Sequence, residues 1–201
     1  MLYGACFSLP PSCSSTCADL VFFTPAVYAS ARDALRGGKY GTLGSPAAFK
    51  ESAFYLWFKT ISRPPFGAPS LRRPTDNAPD HHFIEIESTR TPVPQLVPQA
   101  SGLVLELGPG MGNQLRRFDK SKVTRVVGVE SNAHFAPDIL LQVKEQGLED
   151  VYELLTYSVD DRSALERHGI VAESLDTVLS IQVLCSVPDP EPTLKELYRL
   201  L

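Results

Sequence analysis

The sequence lacks an excess of positive charge and a paired pattern of cysteines. Its 201 residues include 19 Lys plus Arg and 23 Asp plus Glu, a formal net charge of -4, so no basic field attracts nucleic acid. The cysteines fit neither a disulfide framework nor a paired zinc-binding spacing, because three lie near the start and one stands alone. They are Cys6, Cys13, Cys17 and Cys185. We therefore expect no nucleic-acid partner, no bound metal and a reducing compartment, the cytoplasm.

Long hydrophobic runs and N-terminal basic residues are also missing. The first 31 residues contain no Lys or Arg, so they match neither the basic start of a secretory signal nor an Arg-rich transit peptide. The apolar run Leu20–Ala31 is about a dozen residues long and contains Pro25, whereas a helix needs roughly 20 residues to cross a bilayer. This run is suited to peripheral membrane contact; the simpler interpretation is an N-terminal arm that packs on the domain.

One amphipathic helix is predicted in the first half of the chain. The segment Ser45–Ile61 starts with a capping Ser and a Pro at the first helical position. Apolar side chains then follow at helical spacing, at Phe49, Ala53, Leu56 and Trp57. An aromatic stripe of this kind is usually core packing and less often the lid of a pocket.

A proline-rich connector is predicted to follow this helix. Residues 62–101 contain eight prolines and little periodicity, which favours irregular structure. His81 and His82 lie within it, with no carboxylate or Cys at ligand spacing, so we interpret them as surface residues. We thus divide the chain into an N-terminal arm, helix and connector, residues 1–100, and a folded domain, residues 101–201.

The second half alternates strand patterns with helix patterns, which is typical of a parallel sheet with helical crossovers. The predicted strands are Leu103–Leu107, Val123–Val129, Val151–Tyr157 and Leu175–Leu184. The predicted helices are Gly112–Phe118, a segment with Pro137 near its start and Gly147 as its C-terminal cap, Asp161–His168 and Pro190–Leu201. We therefore predict an α/β fold with a Rossmann-like parallel sheet, preceded by an irregular, partly helical N-terminal segment.

A glycine cluster at the end of the first predicted strand is the most informative feature. Gly108, Gly110 and Gly112 leave room for a sharp turn and for close approach of a ligand, and the segment behind them offers free N–H groups. Glu130 ends the second predicted strand 22 residues after Gly108, close to the spacing expected of a carboxylate that binds ribose hydroxyls. We therefore expect a nucleotide-like ligand here, rather than a plain tight turn beside a surface Glu.

The spacing of the glycines distinguishes between nucleotides. A dinucleotide fingerprint reads GxGxxG, whereas this turn reads GxGxG and continues with Asn113. Glu106 precedes the first glycine by two residues, and a carboxylate there repels a pyrophosphate but attracts an ammonium and a sulfonium. The pattern therefore points to S-adenosyl-L-methionine and disfavours a nicotinamide dehydrogenase.

These residues resemble the class I S-adenosylmethionine-dependent methyltransferases, whose first motif is an acidic residue followed by GxGxG. The resemblance covers residues 102–201 and is carried by VLELGPGMGNQLRRF, VVGVESNAHF and LDTVLSIQVLCSVPDP. Within this class, these segments look like the small-molecule enzymes related to the thiol methyltransferases and, more distantly, to the C-methyltransferases of ubiquinone and menaquinone biosynthesis. The resemblance implies methyl transfer to a small thiol or quinone-like acceptor. The thiol methyltransferases also carry an apolar N-terminal segment that holds them to membranes.

The resemblance also implies roles for individual residues. The three glycines would contact the methionine part of the cofactor, Glu106 its ammonium group through water, and Glu130 both ribose hydroxyls. Asn113 and Ser131, next to these groups in the sequence, complete the cofactor-binding set at the turn.

Two further regions enter the candidate site through the same resemblance. Asp160 or Asp161, after the third predicted strand, is the candidate for the adenine contact. The alternative is that these aspartates only cap the helix that follows. Ser180 and Gln182 lie at the end of the fourth predicted strand, where the family lines the space between cofactor and methyl acceptor.

No catalytic dyad is predicted, because methyl transfer from a sulfonium needs mainly in-line alignment and the exclusion of water. Cys185 follows an apolar strand, so we interpret it as a core residue rather than a nucleophile. His134 either stacks near the adenine or opens a helix, and we favour the helix. Neither a general base nor an oligomeric state is assigned.

The resemblance implies seven strands, whereas the sequence predicts four, so we expect the chain to hold an incomplete version of the fold. The expected order of the four strands is 3-2-1-4, which leaves Leu175–Leu184 as an open apolar edge that could recruit a partner. A second function therefore stays open, that of an inactive cofactor-binding remnant or an interaction module.

Overall fold

The computed structural model describes residues 2–5, 27–38, 41, 44–61 and 90–201. The chain divides into two compact units, residues 1–7 together with 87–201, and residues 8–86. The interpretations given above for residues 20–26, for the first three cysteines, for most of the connector and for the His pair lie outside the described residues. Among the described helices, none has the length and apolar character needed to cross a membrane.

The helix predicted for Ser45–Ile61 is confirmed. Helix α1 spans Pro46–Ile61, and the hydroxyl of Ser45 accepts a hydrogen bond from the N–H of Ala48 at 3.4 Å, as a helix cap does. Ala53 is fully buried. Residues 27–36 are also helical, and their buried Ser30 donates its hydroxyl hydrogen to Ser52 of α1 at 2.8 Å.

A five-stranded parallel sheet forms the centre of the other unit. Its strands are β1 Leu2–Ala5, β2 Gly102–Leu107, β3 Val123–Val129, β4 Tyr152–Leu155 and β5 Thr177–Ile181. Their order across the sheet is β1-β5-β2-β3-β4, and every neighbouring pair is parallel. The predicted order of the four C-terminal strands is therefore confirmed, and so is the Rossmann-like α/β class.

The prediction of an open edge at β5 is wrong. Strand β1 pairs with β5 from Leu2 opposite Val178 to Ala5 opposite Ile181. The backbone N–H and C=O groups of an edge strand need partners, and a short segment from the start of the chain supplies them here. No local pattern in the sequence marks this pairing, because the two strands are far apart along the chain.

Strands β4 and β5 are shorter than the apolar runs that predicted them. Strand β4 ends at Leu155 rather than Tyr157, and β5 ends at Ile181 rather than Leu184. Strand β5 stops there because Gln182 has a φ of 56°, in the left-handed region that interrupts a ladder.

Helices connect the strands as predicted, with one exception. Gly112–Phe118 is not an α-helix: Gly112 has a φ of 76°, and only the 3-10 turn Leu115–Arg117 follows it. The helix expected between Pro137 and Gly147 is present, and Gly147 ends it with a φ of 61°. The described helices of this unit are α2 Val93–Leu96, α3 Ala136–Glu145, α4 Arg162–Arg167 and α5 Pro190–Leu200.

The main core lies between one face of the sheet and helices α4 and α5. Leu165 of α4 and Leu197 of α5 are fully buried in the same cluster as Leu105, Val127 and Val178 of the three central strands. Each such side chain contributes about 1.5 to 3 kcal/mol when it leaves water. This packing fixes the carboxyl ends of β2, β3 and β5 relative to one another, and the candidate site lies at those ends.

Candidate functional site

The glycine turn, residues 108–112, has a backbone that only glycine adopts readily. Gly108, Gly110 and Gly112 have φ values of 61°, 57° and 76°. The turn is also tightly enclosed, because a Cβ on Gly108 would overlap the side chain of Val183 and a Cβ on Gly112 would lie 3.0 Å from Cβ of Gln142. The turn is therefore built between the end of β5 and helix α3, and it presents bare backbone.

Glu130 follows β3 directly and holds the glycine turn in place. Its Oε2 accepts a hydrogen bond from the N–H of Gly110 at 3.2 Å, and its Oε1 accepts one from the N–H of Asn132 at 3.0 Å. The side chain is 8% exposed, and burial raises the pKa of its carboxyl despite these two bonds. Each carboxylate oxygen has a second lone pair, so Glu130 can still accept two ligand hydroxyls.

Glu106 lies one residue before the end of β2 and is almost completely buried. Its Oε2 accepts a hydrogen bond from the hydroxyl of Tyr152 at 2.8 Å. Burial raises the pKa of Glu106 from 4.5 to about 7, the Tyr152 hydroxyl lowers it, and the charge of Glu130 raises it further. The carboxyl is thus poised between its neutral and ionised forms near neutral pH.

Gly128 and Tyr152 belong to this site and were missed by the sequence analysis. Tyr152 reaches Glu106 across β3, and a Cβ on Gly128 would lie only 2.6 Å from Cζ of the tyrosine ring. The available signal was the glycine inside the apolar run Val123–Val129, since a glycine within a strand often marks the close approach of another group.

Among the residues that the structure describes, Glu106 and Glu130 have no cationic partner. In the described part of the chain, neither Glu106 nor Glu130 forms an ion pair with Lys or Arg, and no cation contributes to the pKa shift of either. A buried negative charge is costly without compensation. The arrangement therefore favours a ligand that brings a positive charge to Glu106 and hydroxyl groups to Glu130, and S-adenosyl-L-methionine has both.

The residues expected at the end of β5 lie beside the turn. Ser180 is 2% exposed, is paired with Leu107 across the ladder, and its Oγ has no hydrogen-bond partner among the described residues. A buried hydroxyl without a partner is unusual and is satisfied when a ligand or water binds. Gln182 is exposed at the strained position that ends β5.

Asp160 and Asp161 have different hydrogen-bond partners in the structure. Asp161 caps α4, with its Oδ1 accepting from the N–H of Ala164 at 3.0 Å, and its hydrogen bonds, chiefly from Ser163, lower the pKa of the carboxyl. The capping interpretation is confirmed for Asp161. Asp160 instead accepts a hydrogen bond from the hydroxyl of Thr193 in α5 at 3.3 Å. Within residues 90–201, no recorded hydrogen bond joins either aspartate to the glycine turn.

The remaining candidates that the sequence analysis named are Asn113, Ser131, His134 and Cys185. Asn113 is half-buried within the segment after the turn, and Ser131 is exposed directly after Glu130. His134 opens helical structure, as we favoured: it lies in the 3-10 turn Ala133–Phe135, and its N–H donates to Asn132 Oδ1 at 3.1 Å. The interpretation of Cys185 as a core residue is wrong, because β5 ends early and leaves this cysteine exposed.

Comparison with known proteins finds similarity in the segment that contains these residues. Residues 105–201 match a family model described as a methyltransferase domain. Sterol methyltransferase-like 1 and sterol methyltransferase-like 3 of Botryococcus braunii are 30% and 29% identical over 98 residues, which is 49% of this chain. The chain spans only 24% of the length of these relatives. The match thus begins at β2 and includes the glycine turn, Glu130 and the end of β5.

A solved structure described as an S-adenosyl-L-methionine-dependent methyltransferase of Methanococcus maripaludis is also similar. It is 18% identical, with a TM-score of 0.46, and the similarity covers 60% of this chain and 57% of that one. Together, the family match and the curated relatives show that this segment is similar to methyltransferases.

Proposed function

We propose that this protein binds S-adenosyl-L-methionine at the glycine turn and transfers its methyl group to a small molecule. The observation that carries the proposal is the pair of buried carboxylates, Glu106 and Glu130, which flank a turn of bare backbone and have no cationic partner in the described chain. A dinucleotide would bring a pyrophosphate toward these negative charges, whereas this cofactor brings an ammonium and a sulfonium.

Each element of the site has a distinct task in this proposal. Glu130 accepts hydrogen bonds from the ribose hydroxyls with its free lone pairs, and Glu106 attracts the ammonium of the methionine part. The backbone of the glycine turn lies against the methionine part, and Ser180 Oγ gains a partner there. Asp160 remains the candidate for the adenine contact, since Asp161 is already engaged as a helix cap. When bound, the cofactor would supply a methyl group on a sulfonium to a nucleophile of the acceptor, with S-adenosyl-L-homocysteine as the leaving group.

The protein contributes orientation rather than covalent chemistry to this reaction. Methyl transfer gains most from alignment of the nucleophile with the methyl group and from the exclusion of water. The glycine turn is enclosed by Val183 and held by Glu130, so it provides a rigid surface on which the cofactor is oriented. We propose a small thiol or a quinone-like phenol as acceptor; the names of the curated relatives add sterols to the classes worth testing.

Isothermal titration calorimetry tests the proposal most simply. We expect the purified chain to bind S-adenosyl-L-methionine and its demethylated product, and the Glu130→Ala variant to bind both at least tenfold more weakly, because two hydrogen bonds to a charged acceptor are lost. Glu149→Ala, which removes an exposed carboxylate away from the turn, is the matched control and keeps wild-type affinity. Equal binding by all three proteins would refute the role of Glu130.

A second candidate function is a domain that binds the cofactor without transferring its methyl group. The described residues at the turn supply contacts for a cofactor but no dyad of nucleophile and base. Methyl-labelled cofactor, incubated with the chain and with a thiol, a quinone-like phenol or a sterol, distinguishes the two. Label transfer to one acceptor class establishes the enzyme, and binding without transfer to any of them favours the second candidate. Peripheral membrane contact through residues 20–31 and a cytoplasmic location stay predictions.

A further inference from the structure

We propose that Tyr152 is a positioning residue for recognition of the cofactor's ammonium group, and that Gly128 is required to let the tyrosine reach Glu106. This inference rests on the proposed function, since it concerns the group of the cofactor that Glu106 attracts. Neither Tyr152 nor Gly128 was recognisable as part of the site from the glycine motif.

The geometry joins three adjacent strands through one side chain. Tyr152 starts β4 and stands opposite Val126 of β3, whereas Gly128 stands opposite Glu106 of β2 on one side and Leu154 of β4 on the other. The tyrosine ring therefore passes over position 128 on its way to Glu106. A Cβ at this position would lie 2.6 Å from Cζ and 3.0 Å from Cε1 of the ring and would overlap the hydroxyl. Only a glycine leaves this path open.

The hydroxyl of Tyr152 favours the ionised form of Glu106. It donates to Oε2, and no hydrogen bond within the described residues involves Oε1, so one oxygen remains for a ligand N–H. Burial raises the pKa of Tyr152 well above 10, so the phenol keeps its proton and stays a donor. A donor at 2.8 Å stabilises the ionised carboxylate, which is the form that attracts an ammonium.

Among the described residues, Glu130 and Tyr152 are the titratable groups that affect the ionisation of Glu106. Glu130, after β3, opposes ionisation of Glu106 through its negative charge, and Tyr152, from β4, favours it. On the β5 side the residue opposite Glu106 is Leu179, which does not titrate. Removing the hydroxyl therefore takes away the protein group that favours the ionised form, and the burial and the charge of Glu130 then act unopposed.

The test compares two ligands on wild-type protein and on the Tyr152→Phe variant. S-adenosyl-L-methionine carries the ammonium, whereas 5′-methylthioadenosine has the same nucleoside and no amino-acid part. We expect Tyr152→Phe to weaken binding of S-adenosyl-L-methionine about tenfold at pH 7.5, the effect of one hydrogen bond to a charged group. Binding of 5′-methylthioadenosine should stay within about twofold, since this ligand has no ammonium group for Glu106 to attract. Tyr157→Phe, an exposed tyrosine just beyond β4, is the control and should change neither ligand.

Affinities measured over a series of pH values on the same proteins distinguish a positioning role of Tyr152 from a packing role. For wild type, affinity for S-adenosyl-L-methionine should rise as pH increases through about 7, the pKa of Glu106, while affinity for 5′-methylthioadenosine stays flat. In Tyr152→Phe the rise should move to higher pH. Equal weakening of both ligands, or no change in either, would overturn the inference while leaving the proposed function intact. Failure of wild type to bind either ligand would instead refute the proposed function, and this inference with it.

Discussion

The backbone N–H of Gly110 donates to Oε2 of Glu130 at 3.2 Å, so the carboxylate that ends β3 also fixes the turn that follows β2. This bond connects two features that the sequence shows only as separate signals, a glycine cluster and an acidic residue 20 positions later. It places the ribose-binding candidate and the bare backbone of the turn at one end of the sheet.

Gly108→Ala should lower both the stability and the affinity for S-adenosyl-L-methionine. The new Cβ overlaps Val183, and the φ of 61° is unfavourable for alanine, so we expect a loss of about 1 to 3 kcal/mol in the free energy of unfolding. Urea denaturation measures it. Gly41→Ala is the control, because nothing lies within 4 Å of its added Cβ, and it should change stability by less than about 0.5 kcal/mol. Similar effects of the two substitutions would contradict the account of the turn.

Gly128→Ala should destabilise the domain because of Tyr152 specifically. Overpacking of this kind costs about 1 to 3 kcal/mol. The cost should shrink when Tyr152→Ala is already present, because the ring that the methyl group meets is gone. A double-mutant cycle of unfolding free energies measures this coupling. Additive effects would mean that the tyrosine does not pass over position 128.

Glu106 should make stability depend on pH in an unusual direction. Its folded pKa of about 7 lies above the value of 4.5 expected in the unfolded chain, so the folded state binds the proton more tightly. The contribution of Glu106 to the free energy of unfolding is therefore fully present below pH 4.5 and is lost as pH rises through 7. The loss amounts to at most about 3 kcal/mol.

The Glu106→Gln variant isolates this contribution from other carboxyl groups. Glu196 and Glu153, whose pKa values are lowered chiefly by hydrogen bonds from Arg199 and Arg125, lose their contributions as pH falls through their folded values. These effects cancel when wild type and variant are compared at each pH. The stability of wild type relative to the variant should fall between pH 4.5 and pH 7, and a constant difference would show that Glu106 titrates normally.

Much of the fold followed from local signals in the sequence. The runs Val123–Val129 and Leu103–Leu107 predicted strands within one residue, because continuous β-branched and aliphatic segments bounded by turns have few other uses in an α/β domain. The cap at Ser45 and the glycine at position 147 likewise marked helix ends correctly. In each case the physical cause lies within a few residues of the element itself.

The features that were missed depend on contacts between distant segments. The pairing of Leu2–Ala5 with β5 and the path of Tyr152 over Gly128 exist only after the sheet has formed. The prediction of a helix at Gly112–Phe118 was wrong for a related reason. Gly112 is required in the left-handed region by the turn and by packing against α3, which prevents the regular helix that the pattern suggested.

Comparison of the binding of two cofactors tests the central claim most directly. The purified chain is titrated in a calorimeter with S-adenosyl-L-methionine and, separately, with NADH. The first ligand brings a positive charge to Glu106, whereas the second brings a pyrophosphate. We predict saturable one-to-one binding of S-adenosyl-L-methionine and no heat with NADH. Binding of NADH, with no heat from S-adenosyl-L-methionine, would contradict the account.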